Sequence, residues 1–302
     1  MRAKIAGFFN LDLLLQIILK KNICLPLLLI QSSKLKKSKI LHLTPHPPFM
    51  QKVTPKKSLG QHFLNDETVA EKIVQSITSN NTSILEIGPG MGVLTKFLLQ
   101  KENVEFKVVE IDTESVVYLQ KKYPSLKIIS GDFLKLDLRD YYDDKITIIG
   151  NFPYNISSQI LFKVLEKKDI ATELVGMFQK EVAERIASKP GKKMYGILSV
   201  LLQAFYDIEY LFTVDEHLFT PPPQVKSGVI RMIRNPDKKL RCDEVFFKNV
   251  VKTAFNQRRK TLRNSLKSFS FDDEYKNNPI FMLRPEQLSV GQFEEICLAI
   301  SV

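Results

Sequence analysis

Three cysteines in 302 residues, Cys24, Cys242 and Cys297, with no CxxC pair and no histidine cluster beside them, leave neither a disulfide framework nor a zinc site indicated. Such sparse thiols fit a reducing compartment. No segment is apolar for long enough to span a bilayer, which takes about 20 residues. The two longest apolar runs, 13–19 and 23–30, are separated by Lys20-Lys21, and Pro26 interrupts the second. Internal repeats and low-complexity tracts are missing as well, which removes solenoid and disordered classes from consideration.

What remains is an ordinary globular composition, 44% apolar and 25% charged, long enough for one large domain or two. The surplus of 44 Lys+Arg over 33 Asp+Glu gives +11 and favours a polyanionic partner, nucleic acid or an anionic surface. Residues 1–49 carry eight basic residues against the single acid Asp12, so seven of those eleven charges lie there. A targeting presequence, a signal peptide and upstream sequence ahead of a start at Met50 are the three readings of this stretch. The third is preferred, because "MQKVTPKKSLGQHFL" looks like a beginning and Thr44-Pro-His-Pro-Pro before it is linker-like.

From Asp66 the pattern is regular. Asp66 is an N-cap for a helix carrying Val69, Ile73 and Ile77, and short apolar strands then alternate with helical stretches. The expected strands are 83–87, 107–111, 127–130, 145–150 and 174–179, an alternation that predicts a doubly wound α/β sheet. Residues 196–205 fit either a helix or a buried strand. Together with 227–233 they suggest an antiparallel edge. The polar stretch 234–239 suggests a boundary between a domain over 50–235 and a smaller helical one over 236–302.

"SILEIGPGMGVLTKFLL" places Gly88, Gly90 and Gly92 between a strand and a helix, where glycines permit a tight turn and close backbone approach and the helix start offers free N–H groups. Glu86 precedes the first glycine by two residues. Glu110, 22 residues after Gly88, and Asp132 fall at the ends of the next two strands, and in an open α/β sheet the ligand crevice lies at those ends. Glu110 suits ribose hydroxyls and Asp132 an adenine amine. NAD and S-adenosylmethionine both satisfy this set.

The fourth strand end, "GNFPYN", discriminates between them. An exocyclic adenine amine is a poor nucleophile because its lone pair is delocalised into the ring. The Asn151 amide oxygen and the Phe152 carbonyl are suited to accept its two hydrogens and aim the lone pair at a methyl sulfonium, with Pro153 fixing the turn. The Tyr154 ring suits stacking on an extruded base, and Phe178, at the end of the following strand, is the candidate for the opposite face. No cysteine is placed for carbon-5 pyrimidine chemistry and no metal ligands cluster, neither of which direct methyl transfer to nitrogen requires.

Together "KKSLGQHFLND", "EIGPGMGVLT", "VVEID", "GDF", "GNFPYNISSQIL", "FQKEVAERI", "FTPPPQVKSGVIR" and "AFNQRRKTLRNSL" resemble the bacterial small-subunit rRNA adenine N6,N6-dimethyltransferases (the kasugamycin-resistance family) from about Lys56 to the end. The resemblance implies a Rossmann-like methyltransferase sheet with a small C-terminal all-α domain, and S-adenosyl-L-methionine as cofactor. Its implied substrate is two adjacent adenosines in the 3′-terminal hairpin of the small-subunit rRNA. It further implies an immature 30S-type particle as partner, a monomer, no stable membrane partner and a cytoplasmic location. By position it makes His62, Leu64, Gly88, Glu110, Asp132 and Asn151 the cofactor set, and Asn151, Pro153 and Tyr154 the transfer motif; to these sets the glycine loop adds Gly90 and the turn chemistry adds Phe152. His62 stands where members more often carry Asn, and Phe152 where they often carry Leu.

Residues 248–267 hold seven bases and no acid. At about 100° per residue, Phe247, Val251, Ala254, Phe255, Leu262 and Leu266 share one side of a helix and most bases the other, a face for phosphates. Arg258, Arg259, Lys260, Arg263 and Lys267 are the RNA candidates. Arg258 falls on the apolar side, which suggests a break near Asn256-Gln257 that turns it outward. The alternatives are an erythromycin-resistance-type large-subunit rRNA methylase, a non-catalytic ribosome assembly factor on the same fold, and, more distantly, an NAD-dependent oxidoreductase.

Overall fold

The computed structural model describes residues 53–300; the readings of 1–49 fall outside them. Strands β2 (Ser83–Ile87), β3 (Glu105–Glu110), β4 (Lys127–Ser130), β5 (Ile146–Asn151) and β6 (Ala171–Gln179) are parallel, and β7 (Tyr206–Val214) and β9 (Ser227–Arg234) close one edge antiparallel, in the order β4-β3-β2-β5-β6-β9-β7. A two-stranded ribbon of β1 (Phe63–Leu64) and β8 (Phe219–Thr220) lies outside this sheet. The fold is thus the expected doubly wound α/β sheet. Chain order reverses between β2 and β5, the switch point at which such sheets open a crevice.

The central strands are apolar on both sides because both faces are covered. Leu85, Ile146 and Ile148 enter one core cluster, and their neighbours Ile84 and Ile149 the other, as period-two alternation requires. Helices α1 (Glu67–Gln75) and α2 (Thr95–Leu98) cover the second face through Ala70, Ile73, Val74 and Leu98. Asp66 caps α1 as expected, its Oδ1 accepting from Val69 N at 2.8 Å. At the opposite end of the sheet the fully buried Glu173 carboxylate accepts from the Thr78 and Ser79 amides and from the Thr78, Ser79 and Thr147 hydroxyls, fastening the α1–β2 connection to β5 and β6.

Residues 196–205 resolve as helix α6 (Ile197–Gln203), and the edge strand paired with β9 is β7, which the sequence reading passed over. After α3 (Thr113–Lys122), α4 (Ser157–Glu166) and α5 (Lys180–Ala187), the late helices are α7 (Glu244–Asn256), α8 (Leu262–Ser265), α9 (Asp273–Lys276) and α10 (Val290–Ala299). Phe247, Val250, Val251, Ala254 and Phe255 of α7 and Phe293, Ile296 and Cys297 of α10 join the same cluster as Leu201 of α6 and Tyr206 of β7. The hydrophobic core therefore continues without interruption from the sheet into the helices that follow residue 236.

Candidate active site

The carboxyl ends of β2, β3, β4 and β5 open into one cavity. Gly88, Gly90, Glu110, Asp132, Asn151, Phe152, Pro153, Tyr154 and His62 all line it, so nine of the eleven residues assigned to cofactor and transfer from sequence meet at one place. Gly88 and Gly90 have φ of +66° and +57°, a left-handed backbone that disfavours any side chain, and a Cβ on Gly90 would lie 2.7 Å from Phe63 Cε1.

Glu110 is 4% exposed, and its carboxylate accepts from the amides of Asp112 (2.8 Å) and Gly90 (3.1 Å), which draws the strand end onto the glycine loop. Burial lifts its pKa above the usual carboxylate range, against the pull of those two amides. Asp132 Oδ1 accepts from Leu134 N at 3.0 Å and so fixes the turn after β4. Glu86 does not line the cavity. It lies beneath the loop at 1% exposure, its Oε2 accepting from Thr95 Oγ1 at 2.6 Å, and burial pushes its pKa up to about 8. It props the loop from below rather than facing a ligand.

The segment 56–63 crosses the cavity as a strap. Lys56 Nζ pairs with Asp112 and, at 3.4 Å, with Glu114, while Gln61 Nε2 donates to Asp112 Oδ2 at 3.1 Å. Burial pushes the Asp112 carboxyl up, but hydrogen bonds from Lys56, Gln61, the Glu114 amide and Ser115 outweigh it and hold the group below its usual range. Sequence reasoning took only Glu110 from "VVEID". The second acid of that segment is the latch of the strap, and a basic residue 56 positions away in sequence gave no signal for it.

At the far end of the strap Asn151 Nδ2 donates to His62 O at 2.8 Å. A backbone carbonyl only accepts, so the amide nitrogen is committed to the strap and Oδ1 is the atom left for a ligand. Phe152 points the other way. Its ring is 1% exposed and lies over Gly150 and Gly176, which are paired across β5 and β6, with the Phe178 ring centroid 4.9 Å away. Tyr154 is half-buried, its hydroxyl hydrogen-bonded to Ser227 Oγ at 2.5 Å.

Two expected site residues lie elsewhere. Phe178 is fully buried in the core against Phe152, with no face open to a base. Leu64 is 4% exposed in the ribbon with β8, packed into the core, and its neighbour Phe63 lines the cavity instead. For Leu64 the reason is the alternation of side chains along the ribbon, whereas no residue of β6 reaches the cavity. Successive residues of a strand point to opposite faces, so with Phe63 turned to the cavity the Leu64 side chain points away from it.

The basic segment breaks where the mismatch of Arg258 suggested. Helix α7 ends at Asn256 with Gln257 as its C-cap, and α8 begins at Leu262. Arg258 is half-buried, donates to Lys193 O and lies 4.0 Å from Glu286, so its guanidinium ties the turn inward where the sequence reading had turned it outward. Arg259, Lys260, Arg263 and Lys267 are exposed along this turn and α8. Among the described residues no cluster of acids, histidines and cysteines suits a metal, and no helix is long and apolar enough to cross a membrane.

Comparison with known proteins gives the family. The family model described as ribosomal RNA adenine dimethylase matches residues 53–297. The chain is 61% identical over 251 residues to the ribosomal RNA small subunit methyltransferase A of Cytophaga hutchinsonii, covering 82% of this chain and 97% of that protein. It is 60% identical over 248 residues to the protein of the same name from Flavobacterium johnsoniae, covering 81% and 95%. Among solved structures a dimethyladenosine transferase from Plasmodium falciparum shares the fold with a TM-score of 0.66 at 24% identity, covering 78% of this chain and 96% of that one. Since the family match spans every strand end that lines the cavity, the chain belongs to the ribosomal RNA adenine dimethylase family.

Proposed function

We propose that this protein dimethylates the N6 amines of two adjacent adenosines in the 3′-terminal hairpin of small-subunit rRNA, with S-adenosyl-L-methionine as methyl donor, during small-subunit assembly. The observation that carries the reading is the commitment of Asn151 Nδ2 to His62 O, which leaves an acceptor oxygen at the end of β5 beside the glycine cradle.

The residues present suit such a cofactor. The left-handed glycines leave room for it above the loop, and Glu110 and Asp132 line the same wall at consecutive strand ends. Glu110 would hold the ribose hydroxyls and Asp132 the adenine amine, with the strap 56–63 over them. When bound, S-adenosylmethionine supplies a methyl group on a sulfonium, activated toward in-line displacement.

The contribution of the chain is to make the amine nucleophilic. Asn151 Oδ1 and the Phe152 carbonyl accept the two N6 hydrogens, which draws the nitrogen toward tetrahedral geometry and frees its lone pair. Pro153 and the buried Phe152 ring hold those acceptors in place, and Tyr154 stacks on the extruded base. The exposed bases of the α7–α8 turn contact phosphates of the structured RNA. The relatives named for the small subunit favour that substrate over the large-subunit alternative. We place the protein in the cytoplasm as a monomer acting on an immature 30S-type particle.

Tritiated methyl incorporation from S-adenosylmethionine into undermethylated small subunits tests this, with the label mapped by primer extension. Label is expected in two adjacent adenosines near the 3′ end, and Asn151→Ala is expected to lower the rate about 10²- to 10³-fold, the usual effect of removing one preorganised polar group. Tight subunit binding without any label would leave the assembly-factor alternative in its place.

A further inference from the structure

With Phe178 enclosed in the core, a single wall of the expected base site remains, and the structure shows what faces it. The imidazole of His62 lies on the ring of Tyr154, centroids 5.5 Å apart and planes 26° from parallel. The two rings are held very differently. Tyr154 is fixed by its bond to Ser227 Oγ at 2.5 Å and by partial burial. The His62 ring is half-exposed on the strap and held by one hydrogen bond, between Nδ1 and Pro221 O at 2.7 Å. Because that carbonyl only accepts, Nδ1 carries a hydrogen.

His62 thus has two engagements at one site: its carbonyl orients the Asn151 amide and its ring lies near-parallel beside the ring of Tyr154. We infer that the His62 imidazole is the second wall of the target-base site, lying on Tyr154 while no base is present and stacking on the outer face of the base once it enters. This rests on the reading under Proposed function. A base between two rings needs them about 7 Å apart, two contacts of about 3.5 Å, so from a centroid separation of 5.5 Å the imidazole must withdraw by at least about 1.5 Å. Rotation about its side-chain bonds provides this at the loss of one exposed hydrogen bond and leaves the backbone carbonyl on Asn151. The fixed wall is the phenol anchored in the fold; the adjustable one is the ring on the strap.

His62→Ala removes the ring and keeps the carbonyl, and His62→Phe restores an aromatic face without an imidazole nitrogen. With small subunits as substrate, His62→Ala is expected to lower kcat/KM about 5- to 100-fold, the range for loss of one base–aromatic stack, and His62→Phe to recover most of it. Both substitutions keep the backbone of position 62, through which the residue would meet the cofactor, so the dissociation constant of S-adenosylhomocysteine, measured by calorimetry, is expected to stay within about twofold. Equal losses in the two variants would show that an aromatic face cannot replace the imidazole, and a cofactor affinity that falls in step with activity would make His62 a cofactor residue; either result overturns the inference. A hairpin carrying 2-aminopurine at the target position gives a readout independent of turnover. Quenching by the wild type and His62→Phe, but not by His62→Ala, is expected, and equal quenching by all three refutes the stack. If the wild type quenches the probe but transfers no methyl group, the catalytic reading fails while the stack stands.

Discussion

Gly176 sits under the transfer motif, and replacing it with alanine probes how that motif is held. A Cβ at Gly176 would lie 2.0 Å from Phe152 Cε2, 2.7 Å from Cδ2 and 3.0 Å from Cζ. Ordinary carbon contacts are about 3.5–4.0 Å, so the ring has to retreat by about 1.5 Å. It has no room to do so: Gly150 carries the other edge of the ring, where a Cβ would lie 2.8 Å from Phe152 Cε1, and Phe178 packs against its side. Overpacking of this kind costs about 1–3 kcal/mol, and for a chain of this size about 3–10 °C in Tm. Asn151 precedes Phe152 directly, so much of the shift passes to the acceptor oxygen, where about 1 Å of misplacement costs on the order of 10²-fold in rate. Single-turnover methyl transfer beside a thermal melt measures both effects. Phe152→Leu in the same chain shortens the side chain and should recover a large part of each, a non-additivity expected of groups in contact. A Gly176→Ala protein with wild-type Tm and wild-type transfer rate would show that the ring does not position the motif.

Two further outcomes follow from charge. The pKa of Glu86, about 8, is raised by burial, with Glu110 adding to the shift and Thr95 opposing it, so the folded protein binds this proton more tightly than the unfolded chain. Its contribution to stability is complete below the ordinary carboxyl value of 4.5 and is lost as pH climbs to about 8, at no more than about 1.4 kcal/mol per pH unit. Melts of wild type and Glu86→Gln should therefore shift in favour of the glutamine variant between pH 5 and pH 8 and run parallel above that; a gap independent of pH contradicts the buried neutral acid. Replacing Arg259, Lys260, Arg263 and Lys267 by alanine together should reduce the salt dependence of log K for rRNA binding by about three to four units of slope, with S-adenosylhomocysteine affinity unchanged; an unaltered slope would place the RNA on another face.

The strand ends were legible because each is announced by chemistry: glycines that only a left-handed turn explains, and acids following apolar runs. Residues 83–87 and 127–130 even carry the observed bounds of β2 and β4. Strand β7 was missed although Tyr206, Ile208 and Tyr210 alternate with Asp207 and Glu209, because the denser apolar run just before it drew the assignment. What the sequence could not display is anything that depends on cross-strand register. Gly150 and Gly176 form a slot only because β5 and β6 pair them, and from spacing alone Phe178 gave no sign of lying behind the cavity rather than in it. The Lys56–Asp112 latch is hidden in the same way, as two charged residues far apart in sequence whose meeting needs the whole of β3 and α1 in between.

The bond from Asn151 to the strap also bears on which base is admitted. With Nδ2 held by His62 O, the amide cannot turn over to offer a donor, so the site presents oxygen and nothing else at that point. A nucleobase bringing an exocyclic amine finds an acceptor there. One bringing a keto oxygen, as inosine or guanosine does at the same ring position, meets another lone pair in a half-buried setting, where an unmatched acceptor is costly. On the proposed mechanism, discrimination between amino and keto purines would thus lie in the backbone of the strap, in a carbonyl that need never touch the RNA.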